Sequence, residues 1–176
     1  MRRVLLLALA ASLPACGGGP STSPFLGLNL TPLVTEYGSG HPLVEEARPY
    51  AAEEDEILRL VNEYRAFKGL PVLQVDESVA RVARGHAEHM MLHGFVAHVN
   101  PEGDDPLGRW VRVYGMPAAL WENAARYYDP QSTFAQWLNS PSHRANMESP
   151  SVLTGVGVWG DGQPGAPLYY VHLFYR

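Results

Sequence analysis

The sequence predicts an α/β fold in three layers, with helices on both faces of a small, largely antiparallel sheet. Apolar residues recur at helical spacing in several segments between residues 52 and 139. The chain then ends in two segments with the composition of strands, 153–159 and 168–175, which a glycine-rich turn joins. This order, helices first and paired strands last, suits a sheet that helices cover on both sides.

Length and composition are those of one globular domain with extensions. The chain has 176 residues, and hydrophobic residues make up 46% of them, which is enough for a full core. The formal net charge is −5, and the basic residues are scattered along the chain. Because nucleic-acid binding needs a clustered basic face, we expect no nucleic-acid partner.

Residues 1–15 are predicted to be a lipoprotein signal peptide. Arg2 and Arg3 precede a short apolar run over residues 4–13. This run is too short to span a bilayer, which takes about 20 apolar residues. The run ends in Leu-Pro-Ala-Cys, which resembles a bacterial lipobox cleaved before Cys16. We therefore expect lipid on Cys16 to hold the protein at a membrane; the alternative is an ordinary secretory signal with an incidental cysteine.

Residues 16–50 read as the lipidated cysteine followed by a flexible tether. Glycine, proline and serine dominate residues 17–24 and cannot sustain a helix or a central strand. Fully extended, such a tether reaches roughly 100 Å. Cys16 is the only cysteine, so no intrachain disulfide can form, and the folded domain, residues 51–176, depends on its core.

Three helices are expected in the first part of the domain. The first covers residues 52–68, with an inward stripe of Ile57, Leu58, Leu60, Val61, Tyr64 and Phe67. The second begins after the capping residue Asp76 and ends near His93, with Arg81, Arg84 and Glu88 facing outward. The third begins at Asp105 and Pro106 and ends at Gly115, with Leu107, Trp110, Val111 and Tyr114 inward.

The second helix carries His86, His89 and His93 along one edge. We expect His86 to be a hydrogen-bonded core residue and the other two to lie at the boundary with water. The alternative is a metal clip, since neighbouring imidazoles on a helix can share an ion.

Four motifs follow one another along the chain. They are Gly-Phe-Val-Ala-His at 94–98, Glu-Asn-Ala-Ala at 122–125, Ser-Pro-Ser-His-Arg-Ala-Asn at 140–146 and Gly-Val-Gly-Val at 155–158. In this order the chain resembles the bacterial branch of the CAP superfamily, the SCP-like extracellular domain of cysteine-rich secretory proteins, antigen 5 and pathogenesis-related 1 proteins. The resemblance covers about residues 54–176 and implies an α-β-α sandwich.

By this resemblance, His98, Glu122 and His143 are the ligand-binding and metal-binding residues. Two imidazoles and a carboxylate make an open divalent site, for which Zn²⁺ is the first choice. The family usually has a second glutamate three residues after a tryptophan, but here Ser140 follows Trp137 at that spacing. Metal affinity should therefore be weaker than in a full tetrad. The alternative is a polar network that braces the cleft without an ion.

Other residues near these motifs have plainer expected roles. Asn123, Arg144 and Asn146 are expected to be structural. His172 stands where the bacterial branch usually carries glutamine, on the same strand face as Leu168, Tyr170 and Phe174. The Gly-x-Gly-x-x-Gly pattern that starts at Gly155 lies inside a strand with no helix after it, so it is not a dinucleotide-binding loop.

Two functions remain open. The first is a binding module in the bacterial cell envelope, on the periplasmic or extracellular face, which takes an envelope component or a small hydrophobic ligand at His98, Glu122 and His143. The second is a metal-dependent hydrolase of peptides or envelope polymer, with Glu122 as general base to a metal-bound water. The sequence lacks the usual acyl-transfer and zinc-protease motifs, which favours binding and leaves catalysis undecided.

Overall fold

The computed structural model describes residues 48–176. The elements, in chain order, are α1 Ala51–Phe67, β1 Gln74–Val75, α2 Glu77–His93, α3 Pro106–Tyr114, β2 Leu120–Tyr127, α4 Pro130–Asn139, α5 Pro141–Met147, β3 Leu153–Trp159 and β4 Leu168–Tyr175. The predicted signal peptide, Cys16 and most of the tether lie outside the described residues. No helix in the described part of the chain combines the length and apolar character that a membrane span requires.

The four strands form one sheet in the order β1-β3-β4-β2. The short strand β1 runs parallel to β3, whereas β4 pairs antiparallel with both β3 and β2. The largely antiparallel sheet is therefore confirmed. Strand β2 lies at one edge, and this position matters for the candidate site described below.

Side chains on the two faces of the sheet belong to two separate cores, which gives the predicted three layers. On one face, α1, α4 and α5 pack through Ile57, Val61, Trp137 and Met147 onto Ala125, Val156, Val158, Tyr170 and Phe174. On the other face, α2 and α3 pack through Val79, Val82, Ala83, Ala87, Met90 and Trp110 onto Ala124, Tyr169, Val171 and Leu173. Alternation along β2 and β4 divides their residues between the two cores.

Helix α2 lies directly on strand β3 because two glycines leave room for its backbone. A Cβ atom at Gly155 would overlap the backbone of Ala80, and one at Gly157 would overlap the backbone of Arg84. The glycines therefore serve helix–sheet packing, in agreement with the rejection of a dinucleotide loop.

Two side chains of α2 that were expected to face water are buried. Arg84 and Glu88 are 1% and 5% exposed, and His89, which was expected at the boundary with water, is also buried, at 1% exposed. Arg84 pairs with Glu54 at 3.2 Å and with Glu77, and Glu54 also accepts from Arg48 at 2.8 Å. The expectation for Arg84 was wrong because helical periodicity assigns charged residues to the surface, whereas this arginine has the buried carboxylate of Glu54 as a partner.

In the last turn of α1, an aromatic residue is exposed and an arginine is buried. Phe67 was expected inside but is 85% exposed, and Arg65 takes the interior position. The Arg65 guanidinium donates to the carbonyl oxygens of Pro71, Met147, Ser149 and Ser151. These four carbonyl oxygens come together from two parts of the chain and need hydrogen-bond donors. The planar guanidinium of arginine supplies several donors, whereas phenylalanine supplies none.

The remaining helix expectations are partly confirmed. Asp76 caps α2 by accepting from the backbone N–H of Ser78, as predicted. On α3, Trp110 is buried, but Leu107, Val111 and Tyr114 are partly exposed. The short helix α3 lies at the margin of the sheet, so only one side of its apolar stripe finds a partner.

His172 belongs to the core. Its Nε2–H donates to the Thr154 hydroxyl at 2.7 Å, and its ring stacks on Phe174 at 4.1 Å between centroids. Burial lowers the pKa of His172 to about 3, so the ring stays neutral near pH 7. We assign it a packing role.

Candidate functional site

Glu122 lies on the edge strand β2, on the face that α2 and α3 cover. Its carboxylate is buried and accepts one hydrogen bond from an arginine and one from a histidine. The Arg109 Nη2 atom donates to Oε2 at 2.5 Å, and the His98 Nδ1 atom donates to Oε1 at 2.8 Å. The side chains of Glu122 and Arg109 are each 1% exposed, so this pair is shielded from water.

The loop between α2 and α3 holds His98 in place by its backbone. Helix α2 ends at Gly94, whose positive φ of 68° turns the chain back along the helix. The His86 Nε2–H donates to the carbonyl of Ala97 at 2.8 Å, and Arg109 donates to the carbonyl of His98 at 2.7 Å. Burial lowers the pKa of His86 to about 4, so this core histidine is neutral, and its predicted hydrogen-bonded role is confirmed.

Helix α5 carries His143 and is fastened to the same strand. The side-chain amide of Asn123 donates to the carbonyl of His143 at 3.0 Å. The side-chain amide of Asn146 donates to the carbonyl of Glu122 and to Asn123 Oδ1, each at 2.9 Å. The expectation that both asparagines are structural is confirmed, because they connect the helix to the edge of the sheet.

The fold thus gathers the three candidate residues although they are far apart in sequence. Glu122 bonds directly to His98, and the rings of His98 and His143 lie 6.4 Å apart between centroids. The His98 side chain is 50% exposed, whereas the Nδ1 atom of His143 is buried and has no hydrogen-bond partner among the described residues. One imidazole nitrogen of this cluster is thus left without a partner in the described part of the chain, which native structures seldom do. The surroundings of these three side chains are called the hollow below.

The two imidazoles have opposite pKa shifts. The hydrogen bond to Glu122 raises the pKa of His98 above its usual value. Burial, with a smaller effect from His98, lowers the pKa of His143. The His98 ring therefore takes up a proton more readily and the His143 ring less readily, and a neutral ring can accept a hydrogen bond or bind a metal.

The geometry around Glu122 limits which of the three candidate residues could bind a metal. Within residues 48–176, no three His, Cys, Asp or Glu side chains are grouped so as to hold an ion. Glu122 already uses both oxygens, so it is better placed to orient the His98 ring than to bind an ion itself. His98 Nε2 and His143 are then the two side chains that could hold an ion, and water or a ligand would have to fill the other positions.

Sequence reasoning missed Arg109. It pairs with Glu122 and also donates to the carbonyls of His98 and Asp104, so it holds the carboxylate and the loop together. Its helix has an apolar stripe, and periodicity assigns such an arginine to the outer face. The signal that could have indicated it is Glu122. A carboxylate expected in a cleft needs a cation nearby if it is buried.

The comparisons with known proteins agree with this architecture. A sequence model of the Cysteine-rich secretory protein family, CAP, matches residues 58–174. The uncharacterized protein YkwD of Bacillus subtilis (strain 168) is 29% identical over 110 residues, which is 61% of this chain and 42% of YkwD. The chain therefore spans less than half the length of this curated relative.

Solved structures give the same result. An extracellular protein from Bacillus anthracis that contains an SCP domain has a TM-score of 0.66 and 27% identity, covering 77% of this chain and 45% of that one. An outer surface protein from Borrelia burgdorferi shares the fold, with a TM-score of 0.64 and 20% identity over 69% of this chain and 90% of that one. Two layers of helices around a four-stranded sheet and the match over residues 58–174 lead to one conclusion: the chain belongs to the CAP family of cysteine-rich secretory proteins.

Proposed function

We propose that this protein is a binding module of the bacterial cell envelope, and that the hollow at His98, Glu122 and His143 takes an envelope component or a small hydrophobic ligand. The observation that carries the proposal is the buried Arg109–Glu122 pair, hydrogen-bonded to the half-exposed His98, beside the unpartnered Nδ1 of His143. Ligand sites combine a few fixed polar groups with apolar surface. Here Val96 and Val99, 47% and 51% exposed, flank His98 in sequence and offer that apolar surface.

The hydrogen bonds of Glu122 favour binding over hydrolysis. A general base must reach a water molecule with a free carboxylate oxygen. Both oxygens of Glu122 already accept hydrogen bonds, from Arg109 and from His98, and Ser140 stands where the family's second glutamate usually lies. A metal-dependent hydrolase is therefore the second outcome to test.

We also propose that His98 and His143 hold a divalent ion, with Zn²⁺ as the first choice. Glu122 would fix the tautomer and direction of the His98 ring, so that Nε2 faces the hollow. When bound, zinc would offer an open coordination position to an oxygen or nitrogen atom of the ligand.

Removing both imidazoles should remove this zinc. In calorimetric titration of the full chain, His98→Ala/His143→Ala should lose one bound equivalent relative to the wild type. Glu122→Gln should lower the affinity of that equivalent roughly 10–100-fold, because the orienting carboxylate is lost. Glu63→Gln, an exposed carboxylate on α1, is the matched control and should change nothing. Unchanged zinc stoichiometry in the double variant would contradict this assignment.

A zinc-loaded assay separates the two functions. We expect the full chain to sediment with purified peptidoglycan or to bind an apolar fluorescent probe, and to leave casein and peptidoglycan intact. His98→Ala should weaken the binding. If hydrolysis is observed and both His98→Ala and Glu122→Ala abolish it, the protein is a hydrolase instead.

We propose that lipid on Cys16 anchors the protein to a membrane. Cys16→Ala should move the protein from the membrane fraction to the soluble fraction, because one thiol carries the whole anchor. Ser21→Ala, a neighbouring substitution that leaves the lipobox intact, should not. Membrane association that survives Cys16→Ala in cell fractionation would rule the anchor out.

A further inference from the structure

We propose a second metal site at the carboxyl-terminal end of α2, formed by His89, His93 and Glu102 and suited to a transition-metal ion such as Zn²⁺. It is separate from the hollow at His98 and does not depend on the function proposed above. Two imidazoles and one carboxylate are donors that zinc prefers, and they leave a coordination position open.

The helix brings the two imidazoles together. His89 and His93 are four residues apart on α2, so they lie on one face of the helix. Their ring centroids are 4.5 Å apart. The loop after the helix then returns past them and places Glu102 beside His89.

The spacing of the first two donors matches that of ligands on one ion. His89 Nε2 and Glu102 Oε2 are 3.5 Å apart. Two ligands bound to one tetrahedral zinc at about 2.1 Å lie about 3.4 Å from each other. The two atoms are thus too far apart for a good hydrogen bond and well placed for a shared ion.

One buried nitrogen of the proposed site has no hydrogen-bond partner among the described residues. His89 Nε2 is buried and has no hydrogen-bond partner within residues 48–176, and the side chain is 2% exposed. Native structures seldom leave such a nitrogen unsatisfied, and an ion is one of the standard explanations. Phe95 packs edge-on against the same ring at 5.5 Å and holds its direction.

The other two ligands can complete the site without disturbing the core. In the described conformation of residues 48–176, no three His, Cys, Asp or Glu side chains are close enough together to hold an ion. His93 is exposed, however, and the Glu102 side chain is 55% exposed, so both can rotate while His89 stays fixed. A bound ion would tie the loop that carries His98 to the end of α2.

Zinc titration in a background without the first site tests the proposal. In the full chain with His98→Ala/His143→Ala, calorimetry should still show one zinc equivalent. Adding His93→Ala or Glu102→Gln should lower its affinity at least tenfold, whereas Glu63→Gln should not. Cobalt, as a spectroscopic probe, should give the intense visible absorption of a four-coordinate ion, and the His93→Ala change should remove that absorption. His93 and Glu102 are exposed, so these variants should fold.

Two results would overturn the proposal: no zinc binding in the His98→Ala/His143→Ala background, or affinity that His93→Ala leaves unchanged. Neither result tests zinc binding at the hollow. That binding is measured by the difference in zinc stoichiometry between the wild type and the His98→Ala/His143→Ala variant.

Discussion

Gly157→Ala is expected to cost at least about 4–5 kcal/mol of unfolding free energy and to leave little folded protein at 37 °C. The added Cβ would overlap the backbone of α2 at Ala83 and Arg84, and backbone cannot rotate away as a side chain can. The helix would have to lift off β3, and the core beneath it, built on Val79, Val82 and Ala83, would open. Urea titration of the full chain, followed by circular dichroism, measures the loss.

Gly108→Ala is the matched control for this prediction. Gly108 lies in α3 with an ordinary helical φ, and the nearest atom to an added Cβ is a carboxylate oxygen of Asp105 at 3.3 Å. Because alanine favours helix, the change should lie within about 1 kcal/mol of the wild type. A Gly157→Ala protein as stable as Gly108→Ala would show that α2 does not lie on β3 as described.

Arg109→Met should cost about 3–5 kcal/mol, because it leaves a buried carboxylate without its cation. Glu122 would keep only the half-exposed His98 as a partner, and the carbonyls of His98 and Asp104 would lose their donor. The loop that carries His98 should loosen as well, so the zinc affinity of the hollow should fall together with stability. Denaturant titration and calorimetry measure the two effects.

Arg112→Met is the control on the same helix. Arg112 pairs with Asp104, but its side chain is 59% exposed, so its loss should cost less than about 1 kcal/mol. Combining Arg109→Met with Glu122→Met should cost less than the two single losses together, since no charge then stays buried alone. Strictly additive losses would contradict the coupling of Arg109 to Glu122.

The sequence predicted the layers because periodicity reports which side of an element is apolar. The helix bounds and the faces of β4 followed from spacing and end signals, as the Asp76 cap illustrates. Periodicity wrongly predicted Arg84 to face outward and did not indicate Arg65 or Arg109, although all three are about 1% exposed or less. A buried arginine depends on partners that arrive from other parts of the chain, and no local pattern encodes them.

At the candidate site, the sequence likewise indicated the residues but not their hydrogen-bond partners. The motifs indicated His98, Glu122 and His143, and the fold brings all three to the edge strand β2. The motifs did not indicate that Arg109 and His98 occupy both oxygens of Glu122. Because both oxygens are occupied, we propose that Glu122 orients His98 and does not itself bind a metal. This role depends on a loop geometry that the sequence does not specify.

The most direct test of the account is a crystal structure of the zinc-soaked protein with anomalous data collected at the zinc edge. We expect an anomalous peak about 2.0–2.1 Å from His98 Nε2 and from a ring nitrogen of His143, with Glu122 still bonded to His98 Nδ1. A hollow without such a peak at saturating zinc, or Glu122 turned away from His98, would contradict the central claim that these residues form a preorganised binding site.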